Sequence, residues 1–388
     1  MDYSQILSQQ FNIKEEYAKN IITLLDDGNT IPFIARYRKE MHGSMDDQLI
    51  REFAEKLEYL RGLDKRRDEI RSLIDAQEKL TDEINLALDK AATLSELEDI
   101  YRPYRPKRKT RASIAKEKGL EPLANDILKQ EKGFDPSKSA VDYIDEEKGV
   151  TSVEDAIQGA MDIIAELVSD NAEIRKRIRN LTNANGVLVS VATDEEKDSV
   201  YKNYYDYKEP VKKIAGHRVL AVNRGEKEGF LKVSVETDSE KPLNSIFRAM
   251  ITDKNQLCSD IIREACTDAY QRLIYPSIER EVRNDLTDTA SENAMKVFAV
   301  NLKQLLMQPP VKGKTVLALD PGYRTGCKTA VVDSTGKVLD TTVIYPTHSD
   351  KKIQESKQTL LRLIKKHHVD IISIGNGTAS KETEMFTA

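Results

Sequence analysis

The chain has 388 residues, more than one compact core of ordinary size accommodates, so two or three domains are expected. Hydrophobic residues make up 39% and charged residues 32% of the sequence, a balance that excludes collagen-like and broadly disordered chains. The net charge is −5, from 60 basic and 65 acidic residues. Any site for a polyanion must therefore be a local basic patch.

Targeting and redox signals are sparse. No window approaches the roughly 18 apolar residues that span a bilayer, and the N-terminus lacks a basic-then-apolar secretion pattern, so we expect a cytoplasmic protein without a membrane partner. Cys258, Cys266 and Cys327 form no C-x-x-C pair. Reduced thiols, with neither a disulfide nor a zinc site, are expected.

Helical periodicity dominates the chain up to about residue 308, because apolar residues recur at intervals of three and four. Three capping signatures are expected to open helices: Asn12-x-x-Glu15, Ser44-x-x-Asp47 and Ser95-x-x-Glu98. The apolar stripe after Ser44 predicts a helical arm of about 30 residues. Pro276 is expected to start a further helix.

Two stretches of the chain lack this helical periodicity. Val187–Val191 and Leu231–Val235 alternate like strands and lie beside glycine-containing turns. They predict a small mixed α/β insert at about residues 185–240. From residue 309 onward the pattern changes again, and a sequence of elements β-β-β-α-β is predicted over 316–388. The predicted fold is a mainly α multi-helix scaffold with a small mixed insert, followed by an incomplete α/β domain.

The predicted α/β region, residues 316–388, carries a distinctive motif at the end of its first strand. Asp320-Pro321-Gly322 ends the buried strand Val316–Asp320, and this arrangement resembles the ribonuclease-H-like superfamily, in particular its YqgF and RuvC branches. Longer motifs, in the same order along the chain, resemble the Tex family of bacterial transcription accessory proteins. These motifs are Ile31–Glu40, Leu97–Tyr101, Ala115–Ala124, Arg224–Gly229, Pro276–Glu281, Leu319–Lys328 and Gly375–Ser380.

The resemblance implies a domain organisation. Residues 1–308 would form the family's N-terminal helical region, 309–315 a linker and 316–388 a YqgF/ribonuclease-H-like domain. In the family, helix-hairpin-helix modules and a C-terminal S1 domain follow. Because the chain stops at Ala388, we expect that domain to be truncated after its fourth strand and the hairpin and S1 modules to be absent.

Asp320 occupies the position where nuclease relatives place their first metal-binding carboxylate. Such enzymes cluster several carboxylates around two Mg²⁺ ions. Beside Asp320, on the parallel fourth strand, this chain offers Gly375, Asn376 and Gly377. We therefore expect no catalytic residue, metal or cofactor, and keep a Mg²⁺-dependent nuclease and an actin-like ATPase as minor alternatives.

The strongest binding signal is a basic segment, Arg102–Lys116, with seven basic residues in fifteen positions and no acid. Its candidate nucleic-acid-binding residues are Arg102, Tyr104, Arg105, Lys107, Arg108, Lys109, Arg111 and Lys116. Prolines keep part of the segment extended, so its cations could pair with phosphates while tyrosines stack on bases. Equally, the segment could be pinned to acidic helices of the same scaffold.

Arg36, Arg38 and Lys39 form a secondary basic cluster. A solvated helix face is the favoured interpretation of this cluster, with nucleic-acid binding as the other.

The function predicted from these features is a non-enzymatic transcription accessory factor that binds RNA or single-stranded nucleic acid. The alternative is a protein-docking scaffold that contacts RNA polymerase or other transcription machinery and binds no nucleic acid itself.

Overall fold

A computed structural model describes residues 2–252, 254–309 and 311–388. The chain divides into two compact units, Met1–Met295 and Lys296–Ala388. Pro310, in the predicted linker 309–315, lies outside the described residues. None of the described helices is both long and apolar enough to cross a bilayer.

The first unit begins with a run of helices. These are α1 (Tyr3–Phe11), α2 (Glu15–Asp26), α3 (Ile31–Tyr37), α4 (Lys39–His42), α5 (Asp47–Asp75), α6 (Asp82–Lys90) and α7 (Leu94–Tyr101). Helix α5 is the long arm that the apolar stripe predicts: Phe53 and Leu57 pack with α1–α3, and Ile70 and Ile74 pack with α6 and α7. One arm thus carries two small cores.

The three predicted capping signatures are wrong in detail. Asn12 ends α1 with a left-handed backbone (φ 51°), a conformation that asparagine tolerates. Helix α5 is capped by Asp46, whose carboxylate accepts the Leu49 N–H at 2.8 Å, while Ser44 is left-handed. Helix α7 is capped by Thr93. In α5 and α7 a neighbouring polar residue satisfies the free N–H groups, whereas α2 begins after Lys14 without a side-chain cap.

A larger helical core follows. Its elements are α8 (Arg111–Glu117), α9 (Glu121–Lys129), α10 (Pro136–Ala140), α11 (Val153–Asp170), α12 (Ala172–Asn185), α14 (Glu240–Met250), α15 (Gln256–Asp268) and α16 (Tyr275–Leu306). Helix α11 lies at the centre of this core, where Ile164 and Val168 are fully buried. The outer face of α11 ends in Glu166 and Asp170, which face the basic segment described below.

Pro276 does not open a new helix after a break. A π-helical turn, Ala269–Ile274, joins α15 to α16 with helical backbone throughout. Proline has no N–H to donate to the preceding turn, and a widened turn accommodates its ring without ending the helix. The helical path is thus continuous from α15 through Pro276 into α16.

A small antiparallel sheet interrupts the helices. Strands β1 (Val187–Ala192), β2 (Asp206–Pro210) and β3 (Leu231–Glu236) pair in the order β2-β1-β3, with α13 (Gly216–Lys227) between β2 and β3. Leu188, Val222 and Leu231 form its core.

The second unit contains β4 (Val316–Asp320), β5 (Cys327–Val332), β6 (Val338–Ile344), α17 (Asp350–His367), β7 (Ile371–Ile374) and α18 (Ser380–Thr387). The sheet order is β6-β5-β4-β7, with β4 antiparallel to β5 and parallel to β7. Leu360 and Leu363 of α17 pack against the sheet. The predicted fold class, a mainly α chain followed by an α/β domain, is confirmed.

Candidate nucleic-acid interface

The basic segment begins directly after α7. Arg102–Tyr104 form a 3₁₀ turn, the chain then runs extended, and α8 begins at Arg111 behind a capping box of Thr110 and Ser113. The prolines at positions 103 and 106 keep the chain from continuing α7 as a helix. Arg105 and Lys107–Lys109 are exposed in this extended part.

Two of the candidate cations are held by the scaffold. Arg102 Nε lies 3.3 Å from Asp170 Oδ1. Lys107 Nζ pairs with the same Asp170 and lies 3.4 Å from Glu166 Oε1. Both carboxylates belong to the last turn of α11, so the two cations tie the segment to that helix.

Three further cations form looser pairs. Arg105 lies 3.3 Å from Glu98, Lys109 3.6 Å from Glu117 and Lys116 3.0 Å from Glu121. The cationic side chains are 59%, 69% and 45% exposed. Exposed pairs of this kind contribute at most about 1 kcal/mol, so a phosphate can replace the carboxylate at little cost.

Arg108 and Arg111 are exposed, and neither forms an ion pair with any described residue. Tyr104 is half-buried against the core of α5–α7, and its carbonyl accepts a hydrogen bond from Gln77 at 2.9 Å. The segment therefore presents two arginines without an ion pair to a described residue, whereas its tyrosine is part of the packing.

The secondary basic cluster lies where α3 passes into α4. Arg36 and Lys39 are exposed and Arg38 is half-buried, and within the described ranges none of the three has a carboxylate partner. Tyr37 stands among them with 63% of its surface exposed. The cluster thus holds three cations without an ion pair to a described carboxylate, and exposed Glu40 follows Lys39.

The aromatic side chains of this cluster were missed by the sequence reasoning. Phe33 and Tyr37 have ring centroids 5.3 Å apart, and the Arg38 guanidinium lies 5.1 Å from the Phe33 ring. Their spacing of four along one helix places both rings on the same face. That spacing, inside a basic run, is the signal that could have found them.

Contacts of buried His42 and half-buried Tyr17 fix the backbone at the end of the secondary basic cluster. His42 at the end of α4 is fully buried, and its Nε2 lies 3.1 Å from the Ile34 carbonyl oxygen. Gly43 then takes a left-handed conformation (φ 66°) against the ring of Tyr17, where a Cβ atom would lie 2.7 Å from a ring carbon. Only glycine fits there, so the direction of α4 and its cations is set by packing.

Asp320 stands exposed at the carboxyl end of β4. On the parallel neighbour β7, the Gly375 N–H bonds to the Leu319 carbonyl at 2.8 Å, so Gly375 is the residue beside Asp320. Burial, and next the negative charge of Asp320, raises the pKa of the Cys327 thiol to about 11.

Two other carboxylates of this unit, Asp370 and Asp333, serve local structure. Asp370 accepts the Thr315 N–H at 2.9 Å at the opposite end of the strand pair, and Asp333 accepts N–H groups in the turn before Lys337. Among the described residues, no group of three or more His, Cys, Asp or Glu side chains could hold a metal ion.

Comparisons with known proteins agree with this architecture. Family models match over three ranges: the Tex-like protein N-terminal domain over residues 1–75, the Tex central region over 131–298 and the Tex protein YqgF-like domain over 314–388. The chain is thus a mainly helical, multi-domain protein with a YqgF-like domain. It belongs to the Tex family.

Relatives align along nearly the whole chain. It is 45% identical over 393 residues to the uncharacterized protein YdcI of Bacillus subtilis, covering 100% of this chain and 55% of that protein. It is 39% identical over 395 residues to the transcriptional accessory protein Tex of Neisseria gonorrhoeae, covering 99% and 51%. It is 32% identical over 405 residues to the human S1 RNA-binding domain-containing protein 1, covering 100% and 40%. The chain spans about half the length of the bacterial relatives it matches.

Proposed function

We propose that this chain is a non-enzymatic, nucleic-acid-binding accessory factor of transcription, and that its ligand is RNA or another single strand. The observation that carries the proposal is the secondary basic cluster, where exposed Tyr37 stands among Arg36, Arg38 and Lys39 with no carboxylate partner among the described residues. Cations supply sequence-independent phosphate contacts, and an exposed aromatic ring stacks on unpaired bases.

The basic segment would extend this interface. Arg108 and Arg111 are available to phosphates as they stand, and Arg105 and Lys109 become available when a phosphate replaces a weakly held carboxylate. Arg102 and Lys107 have a different role in the proposal, because their pairs with Asp170 position the segment. Lys116 would contribute from α8.

A single-stranded ligand is favoured over a duplex by the aromatic component. Tyr37 can stack only on a base that is not already stacked within a helix. The printed names of two relatives, a transcriptional accessory protein and an S1 RNA-binding domain-containing protein, support a role with RNA in transcription.

The non-enzymatic part of the proposal depends on the surroundings of Asp320. A two-metal phosphoryl-transfer site needs several carboxylates around the ions. The residue beside Asp320 on β7 is Gly375, and the other carboxylates discussed above bond to turns and strand ends. Asp320 is proposed as a surface residue of the strand end.

A second candidate function is protein docking by the chain. The carboxyl-terminal part of α16 exposes large apolar side chains, including Phe298 (66%), Leu305 (62%) and Leu306 (73%). Contiguous apolar exposure of this kind is typical of protein interaction sites. RNA polymerase or another component of the transcription machinery is the partner proposed for it.

Fluorescence anisotropy of the whole chain with labelled single-stranded RNA and with duplex DNA, each at two salt concentrations, separates the two candidates. Salt-sensitive binding that favours the single strand supports the nucleic-acid function. Absence of binding at low salt would reject it and leave the docking function.

A further inference from the structure

A cavity of about 540 Å³ lies between the turn after α7 and the start of α16. Three arginines line it: Arg102 from the turn, Arg272 from the π-helical turn and Arg280 from α16. Ser277 lies on the same wall. Arg272, Pro276 and Arg280 are spaced by four residues, so the continuous helical path presents them on one face.

A buried guanidinium contacts Ser277, one of the residues that line this cavity. Arg175 of α12 is 2% exposed; its Nε pairs with Asp99, and its Nη2 donates to Ser277 Oγ at 3.1 Å. Its Nη1 is buried and has no hydrogen-bond partner in the described part of the chain. Arg102 Nε is also buried, but it is paired with Asp170 Oδ1 at 3.3 Å. One donor on a positively charged group, Nη1 of Arg175, thus lacks an acceptor, and such groups normally have one.

Most carboxylates around the cavity already form ion pairs with arginine or lysine side chains. Asp99 is shared by Arg175 and Arg179, and Asp170 is shared by Arg102 and Lys107. Glu281, which lines the cavity, accepts two bonds from Arg179, at 2.6 and 3.2 Å.

The lining holds three arginines, of which Arg272 is paired with Asp268, and two carboxylates, Glu281 and Asp285. Burial, and next the positive charge of Arg175, lowers the pKa of Arg102. Burial, together with the charges of Glu281 and Asp288, raises the pKa of the lining carboxylate Asp285.

We propose that this cavity is a binding site for a phosphate group, carried by a small nucleotide or by the end of a nucleic-acid strand. Guanidinium groups match phosphate oxygens in geometry and charge, and the unpartnered Nη1 of Arg175 and the guanidinium of Arg280 would donate to them. Arg280 is exposed and forms no ion pair with the described residues, so it is available to close over the ligand.

This site explains residues that the nucleic-acid interface leaves unused. Ser277 and Arg280 belong to the motif Pro276–Glu281, one of the segments that resemble the family. The π-helical turn beside them is a feature often found at functional sites. The site does not depend on the secondary basic cluster or on the exposed arginines of the basic segment, so it stands or falls separately from the proposed function.

The test is thermal unfolding of the whole chain in increasing inorganic phosphate, against sodium chloride at equal ionic strength and pH. We expect a saturable rise of Tm that is specific to phosphate. Arg280→Gln should weaken the apparent phosphate affinity about tenfold, as loss of a charged hydrogen bond does. Arg248→Gln on α14, which also removes an exposed arginine without an ion pair in the described chain, should leave it unchanged.

The ligand's source follows from calorimetry with a 5′-phosphorylated and a 5′-hydroxyl trinucleotide and with adenosine monophosphate. Tighter binding of the phosphorylated strand than of the mononucleotide indicates a strand end, and equal binding indicates a small nucleotide. A Tm that follows ionic strength alone, or equal phosphate affinity of Arg280→Gln and the wild-type chain, would overturn the proposal.

Discussion

Asp99 on α7 forms an ion pair with Arg175 on α12, 76 positions away in the chain, and its Oδ1 accepts a hydrogen bond from Arg175 Nε. Both side chains are buried, and Arg179 on the next turn of α12 binds the other oxygen of the same carboxylate. Arg179 also reaches Glu281 of α16. One buried carboxylate thus connects the helical arm to the large core.

Replacing Asp99 by Ala should destabilise the protein by about 3–5 kcal/mol, because two guanidinium groups lose their shared counter-charge in a buried site. Urea unfolding measures this loss. Asp68→Ala is the matched control: Asp68 pairs with Arg71 at 2.7 Å, but its side chain is 72% exposed, and its loss should change the stability by no more than about 0.5 kcal/mol. Equal effects of the two substitutions would show that the Asp99 network is not the connection described.

The helical arm, the strands and the element order β-β-β-α-β could be predicted because periodicity and turn residues are local properties of the sequence. Helix starts were less predictable. Ser44 and Asp46 are both good capping residues, and the left-handed backbone of Ser44, set by packing of the turn, decides in favour of Asp46.

The partners of the basic segment could not be predicted at all. Glu166 and Asp170 lie about 60 residues from Lys107 (63 to Asp170), and no local pattern brings them together. The sequence therefore left open whether the segment is pinned or free. In the structure, Arg102 and Lys107 bind Asp170 of α11, whereas Arg108 and Arg111 form no ion pair with described residues.

This division predicts different effects within the basic segment. Arg108→Gln with Arg111→Gln should reduce the salt dependence of RNA affinity by about 1 to 1.5 in the log–log slope, at about 0.7 per phosphate contact on a single strand. Lys107→Gln should change that slope less and lower the unfolding temperature more, because Lys107 binds α11. Anisotropy titrations across salt and a thermal melt separate the two effects. A larger slope change in Lys107→Gln would contradict the division.

Tyr37 is predicted to stack on a base. Tyr37→Leu should lower the affinity for single-stranded RNA about tenfold and leave the salt slope unchanged, because stacking contributes about 1–3 kcal/mol per base and involves no counterions. Tyr59→Leu is the control, since Tyr59 is also exposed (44%) but lies on α5 outside the cluster. Equal losses for the two variants would argue against a stacking role.

Asp340 provides a titration test in the YqgF-like domain. Hydrogen bonds from Lys366 (2.9 Å) and His367 (3.1 Å) lower its pKa to about 2. A carboxylate whose pKa falls on folding stabilises the fold above its unfolded pKa and loses that contribution as the pH falls toward 2. Carbon-detected NMR should give a midpoint near 2, and Lys366→Gln should move it upward. Lys365→Gln, which removes a cation without an ion pair to the described chain, should leave it in place.

The secondary basic cluster is proposed to bind single strands. The most direct measurement is anisotropy across a salt series with the triple variant Arg36→Gln, Arg38→Gln and Lys39→Gln, beside the charge-matched variant Lys132→Gln, Lys138→Gln and Lys148→Gln, whose lysines stand among acidic neighbours. The claim predicts that the first variant loses RNA affinity at low salt and about 2 in the salt slope, while the control keeps both. Equal slopes and affinities for the two variants would contradict it.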